Sequence, residues 1–124
     1  MLDNKIKIRP ADLNDCKSLF DWRSDELSKT MFFNGSSPSI EEHEVWFKNS
    51  LCNVDRALYV GELGYKKLGV CRFDFLESEM LAEVSINMNP SMRGCGLGKK
   101  FLFESIECYL DKNKYNLLAK VKPN

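Results

Sequence analysis

Three glycines alternate with other residues late in the chain, at Gly94, Gly96 and Gly98. A strand-like apolar pattern precedes this run, and a helical pattern follows it. Glycines at this density let the backbone approach a ligand and point consecutive N–H groups into one concavity. A helix that begins at the same place adds the positive end of its dipole. The run therefore predicts a seat for phosphate or pyrophosphate, with a plain surface turn leading into a helix as the alternative.

The composition restricts the class of protein that carries this run. The 124 residues are enough for one domain, and 18 acidic against 18 basic residues leave no formal net charge, which does not favour nucleic acid or a membrane surface as the partner. The five cysteines are scattered and there is one histidine, which favours free thiols over a disulfide framework or a metal site. Because neither a leader nor a membrane-spanning run is evident, we expect a cytoplasmic protein.

The periodicity predicts an α/β (α+β) chain with a mixed central sheet and flanking helices. Strands are predicted at 5–9, 57–63, 68–75, 80–88 and 116–122, and helices at 11–22, 40–51 and 98–110, with a short helical turn at 25–29. Pro10 is expected to end the first strand, Asp12 to cap the first helix, and Ser39 to form a capping box with Glu42. The middle strands form an antiparallel meander, and the last strand follows a helix and is therefore expected to run parallel to its neighbour. The glycine run then lies at the carboxyl end of a central strand, where such sheets bind ligands.

Spacing excludes two familiar phosphate loops. A P-loop needs four residues between its first glycine and the G-K-[ST] end, but only three separate Gly94 from Gly98, and Lys99 is followed by Lys100. The dinucleotide fingerprint G-x-G-x-x-G needs a third glycine where the chain has Lys99. Neither pattern accounts for the run.

The run R-G-C-G-L-G at 93–98, after a strand that ends in N-P, resembles the [RQ]-x-x-G-x-[GA] motif of the GNAT superfamily of N-acetyltransferases. The order of elements is similar to that superfamily over the whole chain, 1–124, read as one GNAT domain. The resemblance implies that acetyl-coenzyme A is the co-substrate, without a metal. It implies a pyrophosphate seat at Arg93, Gly94, Cys95, Gly96, Leu97, Gly98 and Lys99, and a pantetheine-binding strand end at Ile86, Asn87 and Met88.

Glu83 is the candidate catalytic residue. It lies in L-A-E-V-S-I, within the strand that leads to the glycine run, and matches a position at which many GNAT members carry a glutamate base. Acetyl transfer to an amine requires a group that removes a proton from that amine. The alternative is that Glu83, with Ser85 and Asn87 at a spacing of two, lines a solvated face.

The acceptor side is expected in the first two helices and the segment between them. W-R-S-D at 22–25 and S-I-E-E-H-E-V-W-F at 39–47 resemble a GNAT subgroup of ribosomal-protein alanine N-acetyltransferases and nucleotide-amino-sugar N-acetyltransferases. The implied acceptor is the amino-terminal amine of a protein, or alternatively an amino sugar. Trp22 and Trp46 are expected in the core. Candidate substrate-binding residues are Arg23, Met31, Phe32 and His43.

The last residues, Pro123 and Asn124, resemble the start of the segment that carries a tyrosine acid in many GNAT members. We therefore expect a domain without its C-terminal helix and closing strands, and a strand edge at 116–122 that is open to a second copy of the chain. A module that binds acyl-coenzyme A or a partner chain without turnover is the competing class.

Overall fold

The computed structural model describes residues 5–24, 39–94, 96–112 and 119–122. Its strands are β1 (Lys7–Pro10), β2 (Arg56–Leu63), β3 (Lys66–Leu76), β4 (Leu81–Met88) and β5 (Ala119–Lys122). Its α-helices are α1 (Cys16–Arg23), α2 (Ile40–Cys52) and α3 (Gly98–Lys112). Short 3-10 turns occupy Leu13–Asp15 and Pro90–Met92.

The described strands form one mixed sheet in the order β1-β2-β3-β4-β5. The first four run antiparallel to their neighbours, and β5 runs parallel to β4. The predicted mixed sheet with flanking helices is confirmed. The predicted capping box of α2 is also present, because Ser39 Oγ accepts from the Glu42 amide while the Glu42 carboxylate accepts from the Ser39 amide.

The beginning of the chain differs from the prediction in two places. Pro10 does not end the first strand but lies within β1, paired with Tyr59; β1 is an edge of the described sheet, where a residue without an N–H is tolerated. The helix predicted at 11–22 is divided into a 3-10 turn, capped by Asp12, and α1. The helical turn predicted at 25–29 lies outside the described residues.

Asp15, the last residue of the 3-10 turn before α1, is fully buried. Its two oxygens each accept a hydrogen bond of 2.8 Å from the Arg9 guanidinium, and Lys67 Nζ lies 2.8 Å from Oδ1. Burial acts to raise the pKa of Asp15, but the hydrogen bonds from Arg9 and Lys67 outweigh it and hold that pKa well below its usual range. The ionised carboxylate therefore ties the start of α1 to β1 and β3, a contribution that is lost only when the pH falls through the lowered pKa.

Side chains of β4 alternate between two cores. The core beneath α3 includes Ala82, Val84, Met88, Phe73 and Phe101. The core on the other face, beneath α1 and α2, includes Leu19, Trp22, Phe47, Val60 and Val70. The intervening β4 residues Glu83, Ser85 and Asn87 lie on this second face, where Ser85 and Asn87 share a pocket with residues of α1 and α2.

A pair of glycines lets α3 pack directly on the sheet. Gly61 and Gly69 are paired across β2 and β3, and the fully buried ring of Phe101 covers them. A Cβ at Gly61 would lie 2.6 Å from Phe101 Cε1, and a Cβ at Gly69 would lie 2.6 Å from the backbone oxygen of Asn87. Both positions therefore exclude a side chain, but for different reasons.

The contact between Gly61 and Phe101 can be tested by substituting both residues. We expect Gly61→Ala to reduce the free energy of unfolding by about 1–3 kcal/mol through overpacking. The combined variant with Phe101→Leu should lose less than the sum of the two single variants, because the smaller side chain leaves room for the new methyl group. Gly69→Ala is the matched control that Phe101→Leu should not rescue, since its clash is with backbone. Additive losses for the Gly61 pair in urea unfolding would contradict this packing.

Candidate active site

Asn89 fixes the path of the chain from β4 to the glycine run. Its backbone N–H donates to the Leu68 carbonyl and its Nδ2 to the Lys67 carbonyl, each at 2.9 Å. Its Oδ1 accepts from the Ser91 amide at 3.1 Å. One side chain thus joins the end of β4 to the start of β3 and caps the turn that leads to the glycines.

Two of the glycines adopt backbone conformations that L side chains rarely take. The φ angles are +81° at Gly94 and +75° at Gly96. A Cβ at either position would meet no atom within 4 Å, so the surface on that side is open. Gly98 begins α3, a helix of 15 residues, and the Phe101 amide donates to the Leu97 carbonyl in its first turn. The loop therefore combines an exposed, glycine-shaped backbone with a helix amino terminus, the arrangement that binds phosphate groups.

The pairing of β4 with β5 covers only part of β4. In the described residues this pairing extends from Ala82 to Ser85, whereas β4 continues through Ile86 and Asn87 to Met88. On its other side β4 remains paired with β3 to its end, where Met88 is opposite Gly69. The last residues of β4, beside the glycine loop, are therefore paired with β3.

A pocket lies on the α1 and α2 face of this strand end. It encloses about 370 Å³ of empty space, including the part that opens to solvent. Leu19, Leu58 and Val70 supply its apolar wall, and the segment from Ser85 to Asn87 borders it. The remaining lining residues are Arg23, Trp46 and Arg72.

Trp46 and Asp74 organise the arginines of this face. The Arg23 guanidinium lies 4.0 Å from the centre of the Trp46 ring, a cation–π contact. Asp74 hydrogen-bonds Arg56 Nε through Oδ1, and its Oδ2 lies 3.1 Å from Arg72 Nε. One carboxylate is therefore shared by two guanidinium groups.

Burial and mutual repulsion act on these cations. Burial, followed by the charges of Arg72 and Arg56, lowers the pKa of Arg23 to about 10. Burial also lowers the pKa of Arg72, although Asp74 opposes that change. Both groups are cationic at neutral pH, so the pocket holds two partly desolvated positive charges.

His43 lies behind this pocket and is 1% exposed. Its Nε2 is 2.9 Å from the Cys16 carbonyl and its Nδ1 is 3.4 Å from Arg23 Nη1. Because a carbonyl only accepts and a guanidinium only donates, the neutral Nε2–H tautomer satisfies both contacts. Burial lowers the pKa of His43. His43 thus connects α1 to α2 and contacts the pocket through Arg23, an arrangement that supports packing and not direct contact with an acceptor.

Glu83 lies two residues before Ser85, next to the pocket of the arginines. It lines a neighbouring surface cavity with Arg56 and Asp74 and is opposite Asp74 in the pairing of β3 with β4. Glu83, Ser85 and Asn87 share one face of β4, but that face is not solvated as the alternative expected, because Ser85 and Asn87 are buried. The catalytic role of Glu83 stays a prediction.

The predicted cofactor-site residues are divided between two surfaces. Arg93 is half-buried, Gly94, Gly96 and Lys99 are exposed, and Leu97 and Gly98 are half-buried. At the end of β4, Met88 is buried under α3, whereas Asn87 borders the pocket on the other face together with Ile86. The remaining predicted site residues Cys95, Met31 and Phe32 lie outside the described residues.

The sequence interpretation missed two residues of the pocket. Trp22 is buried as predicted, whereas Trp46 is half-buried: it packs against the core beneath α1 and α2 and also lines the pocket. Arg72 was not singled out. Its signal is the R-F-D pattern at 72–74, which places two charges on one face of an otherwise apolar strand.

The fold is that of known N-acetyltransferases. A spermidine N-acetyltransferase from Vibrio cholerae, solved in complex with CoA and spermine, superimposes with a TM-score of 0.81 at 12% sequence identity over 94% of this chain and 71% of that chain. An N-acetyltransferase from Staphylococcus aureus Mu50 superimposes with a TM-score of 0.73 at 23% identity, over 94% and 73% of the two chains. A domain from Methanocaldococcus jannaschii superimposes with a TM-score of 0.75 at 24% identity, over 94% and 77%. No protein-family model and no curated protein sequence matches the chain.

This similarity confirms the predicted GNAT-like architecture. At identities of 12–24% it establishes the fold. Throughout the described ranges, no helix is long and apolar enough to cross a membrane. The same ranges contain no group of three histidine, cysteine, aspartate or glutamate side chains arranged to hold a metal ion.

The burial of His43 predicts a pH dependence of stability within the acetyltransferase fold. Its folded-state pKa lies below the ordinary value of 6.5, so the unfolded chain binds the proton more readily. His43 therefore imposes no penalty above about pH 6.5, and stability falls as the pH decreases from there towards the folded pKa, by at most about 1.4 kcal/mol per pH unit.

Urea unfolding between pH 7.5 and 5.5 measures this effect. His43 is the only histidine, so His43→Gln should be less stable at pH 7.5 because it disturbs the packing, yet should show a flatter profile in this range. Parallel profiles for the two proteins would contradict a neutral, buried imidazole.

Proposed function

We propose that this chain is an acetyl-coenzyme A-dependent N-acetyltransferase that acts on a primary amine. One observation carries the proposal: the glycine loop, with φ of +81° and +75° at Gly94 and Gly96, precedes a 15-residue helix and lies beside the end of β4. This combination supplies a seat for a pyrophosphate and, next to it, a strand end, Ile86 to Met88, that lies beyond the pairing with the described residues of β5.

Acetyl-coenzyme A fits the groups that the chain offers at this place. Its pyrophosphate would be bound by amides of the loop and the first turn of α3, with Arg93 and Lys99 as nearby positive charges. Its extended pantetheine arm would lie along residues Ile86 to Met88, as a peptide adds to a sheet edge. The proposed donor site therefore uses mainly backbone groups.

Coenzyme A supplies the acetyl group as a thioester. In the transfer, the amine nitrogen bonds to the carbonyl carbon, the carbon–sulfur bond breaks, the amine gives up one proton and the sulfur receives one. Glu83 is the proposed base, acting through water because it lies two residues from the segment that borders the pocket.

Two acceptors suggested by the sequence remain predictions: the amino-terminal amine of a ribosomal or other protein, and a nucleotide-linked amino sugar. Arg23 and Trp46 support an acceptor site on the α1 and α2 face, because both line the pocket at the end of β4. Pairing of a second copy through the β5 edge also stays a prediction, as does cytoplasmic location.

The glycine loop is tested by two single-methyl variants. Gly96→Ala forces alanine into a positive φ, at a cost of about 1–2 kcal/mol, or reshapes the loop, so we expect acetyl-coenzyme A affinity to fall at least about tenfold. Gly64→Ala is the matched control, since it imposes a similar strain, at φ +63°, in the exposed turn between β2 and β3, where a Cβ would meet no atom within 4 Å. Isothermal titration measures both. Equal affinities for wild type and Gly96→Ala would be evidence against the pyrophosphate seat.

The role of Glu83 is tested by Glu83→Gln. Loss of a general base lowers kcat by roughly 10² to 10⁴, so we expect a fall of at least about a hundredfold with acetyl-coenzyme A affinity unchanged. Glu77→Gln, in the exposed turn before β4, is the control. An unaltered kcat in a folded Glu83→Gln variant would remove this residue from the mechanism.

A further inference from the structure

We propose that the acceptor is a small-molecule amine that also carries a negatively charged group, a phosphate or a carboxylate, bound by Arg23 and Arg72 in the pocket beside the end of β4. This inference rests on the proposed function and specifies the substrate class of the same site. It distinguishes the chain from the structurally similar spermidine acetyltransferase, whose named substrate is a polycation.

The position of the two guanidinium groups carries the argument. Arg72 lies on β3 directly opposite Ser85 of β4, and Arg23 reaches the same pocket from the end of α1. The segment from Ser85 to Asn87 borders the pocket as well. An acceptor amine held at this strand end would therefore have both positive charges within the same small pocket.

The placement of these groups favours binding of an anion. Arg23 Cζ lies 4.0 Å from the centre of the Trp46 ring, a cation–π contact that holds the guanidinium at the pocket, and a guanidinium is the group that best matches a carboxylate or phosphate. Arg72 Nε lies 3.1 Å from Asp74 Oδ2 without the alignment of a hydrogen bond. In the described part of the chain, no protein group accepts a hydrogen bond from the terminal nitrogens of Arg72.

The positive charge on this face also favours binding of an anion. Among the described residues, three cations, Arg23, Arg56 and Arg72, and two carboxylates, Asp74 and Glu83, line the pocket and the neighbouring cavity. Arg23 is repelled by both other arginines. A bound anion reduces this repulsion between partly buried charges, whereas a polyamine increases it. A pocket with about 370 Å³ of empty space, part of it open to solvent, is of the size that takes a small molecule.

The test uses acceptors that differ in one charged group. Ethanolamine is compared with O-phosphoethanolamine and β-alanine, and glucosamine with glucosamine 6-phosphate, beside spermidine and a short peptide with a free amino terminus. Release of the coenzyme A thiol gives kcat/KM. We expect at least one anionic acceptor to exceed its neutral counterpart tenfold or more, with spermidine below both. The ratio of phosphate to carboxylate activity identifies the preferred anion.

Variants at Arg23 test the contact itself. Arg23→Gln should lower kcat/KM for the anionic acceptor about tenfold and leave the neutral acceptor within twofold, and Arg23→Lys should restore part of the loss. Thermal unfolding and acetyl-coenzyme A titration show whether each variant is folded. An equal loss for both acceptors in a folded variant, with no rescue by lysine, contradicts a charge contact.

The outcomes distinguish an error in the acceptor class from an error in the proposed acetyltransferase function. Thiol release with spermidine, the peptide or neutral amines at rates equal to or above those of the anionic amines would overturn the acceptor class and leave acetyl transfer intact. Absence of thiol release from every acceptor, together with no binding of acetyl-coenzyme A, would overturn both.

Discussion

The contact between Phe101 and the glycine pair Gly61 and Gly69 determines where the functional surface lies. Because neither glycine has a side chain, the ring of Phe101 packs on the sheet backbone and brings the first turn of α3 against β2 and β3. Gly69 also allows the backbone of β4 to approach at Asn87. The helix amino terminus, the glycine loop and the end of β4 are therefore brought together by the absence of two side chains.

The face of the sheet beneath α1 and α2 combines an apolar core with several buried or half-buried charged groups. Asp15 is ionised at the cost of burial because Arg9 and Lys67 surround it, and it anchors α1 to the sheet. At the pocket, Asp74 is shared by Arg56 and Arg72, and His43 is neutral behind Arg23. The charged groups at the start of α1 stabilise the structure, and those at its end form the pocket.

Local signals allowed much of the fold to be predicted. The capping box of Ser39 and Glu42, the meander of β2 to β4 and the parallel β5 follow from patterns within a few residues, and each is present. The burial of Asp15 was not predictable, because its charge is balanced in part by Lys67, which is distant in sequence. The pocket was not predictable for the same reason, because its lining residues are distant from one another in sequence. From the sequence alone, Trp46 looks like a core residue and Arg72 like an isolated charge, because their shared pocket exists only when α1 and α2 are packed on the sheet.

The two halves of the proposed site are built from different chemical groups. On the proposed function, the donor half of the site consists mainly of main-chain groups, which every residue type possesses, and its shape depends on two positive φ angles and one strand end. The acceptor half consists of side chains on α1, α2 and β3. Substitutions in that half leave the donor half intact. A scaffold divided in this way can change its acceptor during evolution without having to evolve its donor site anew.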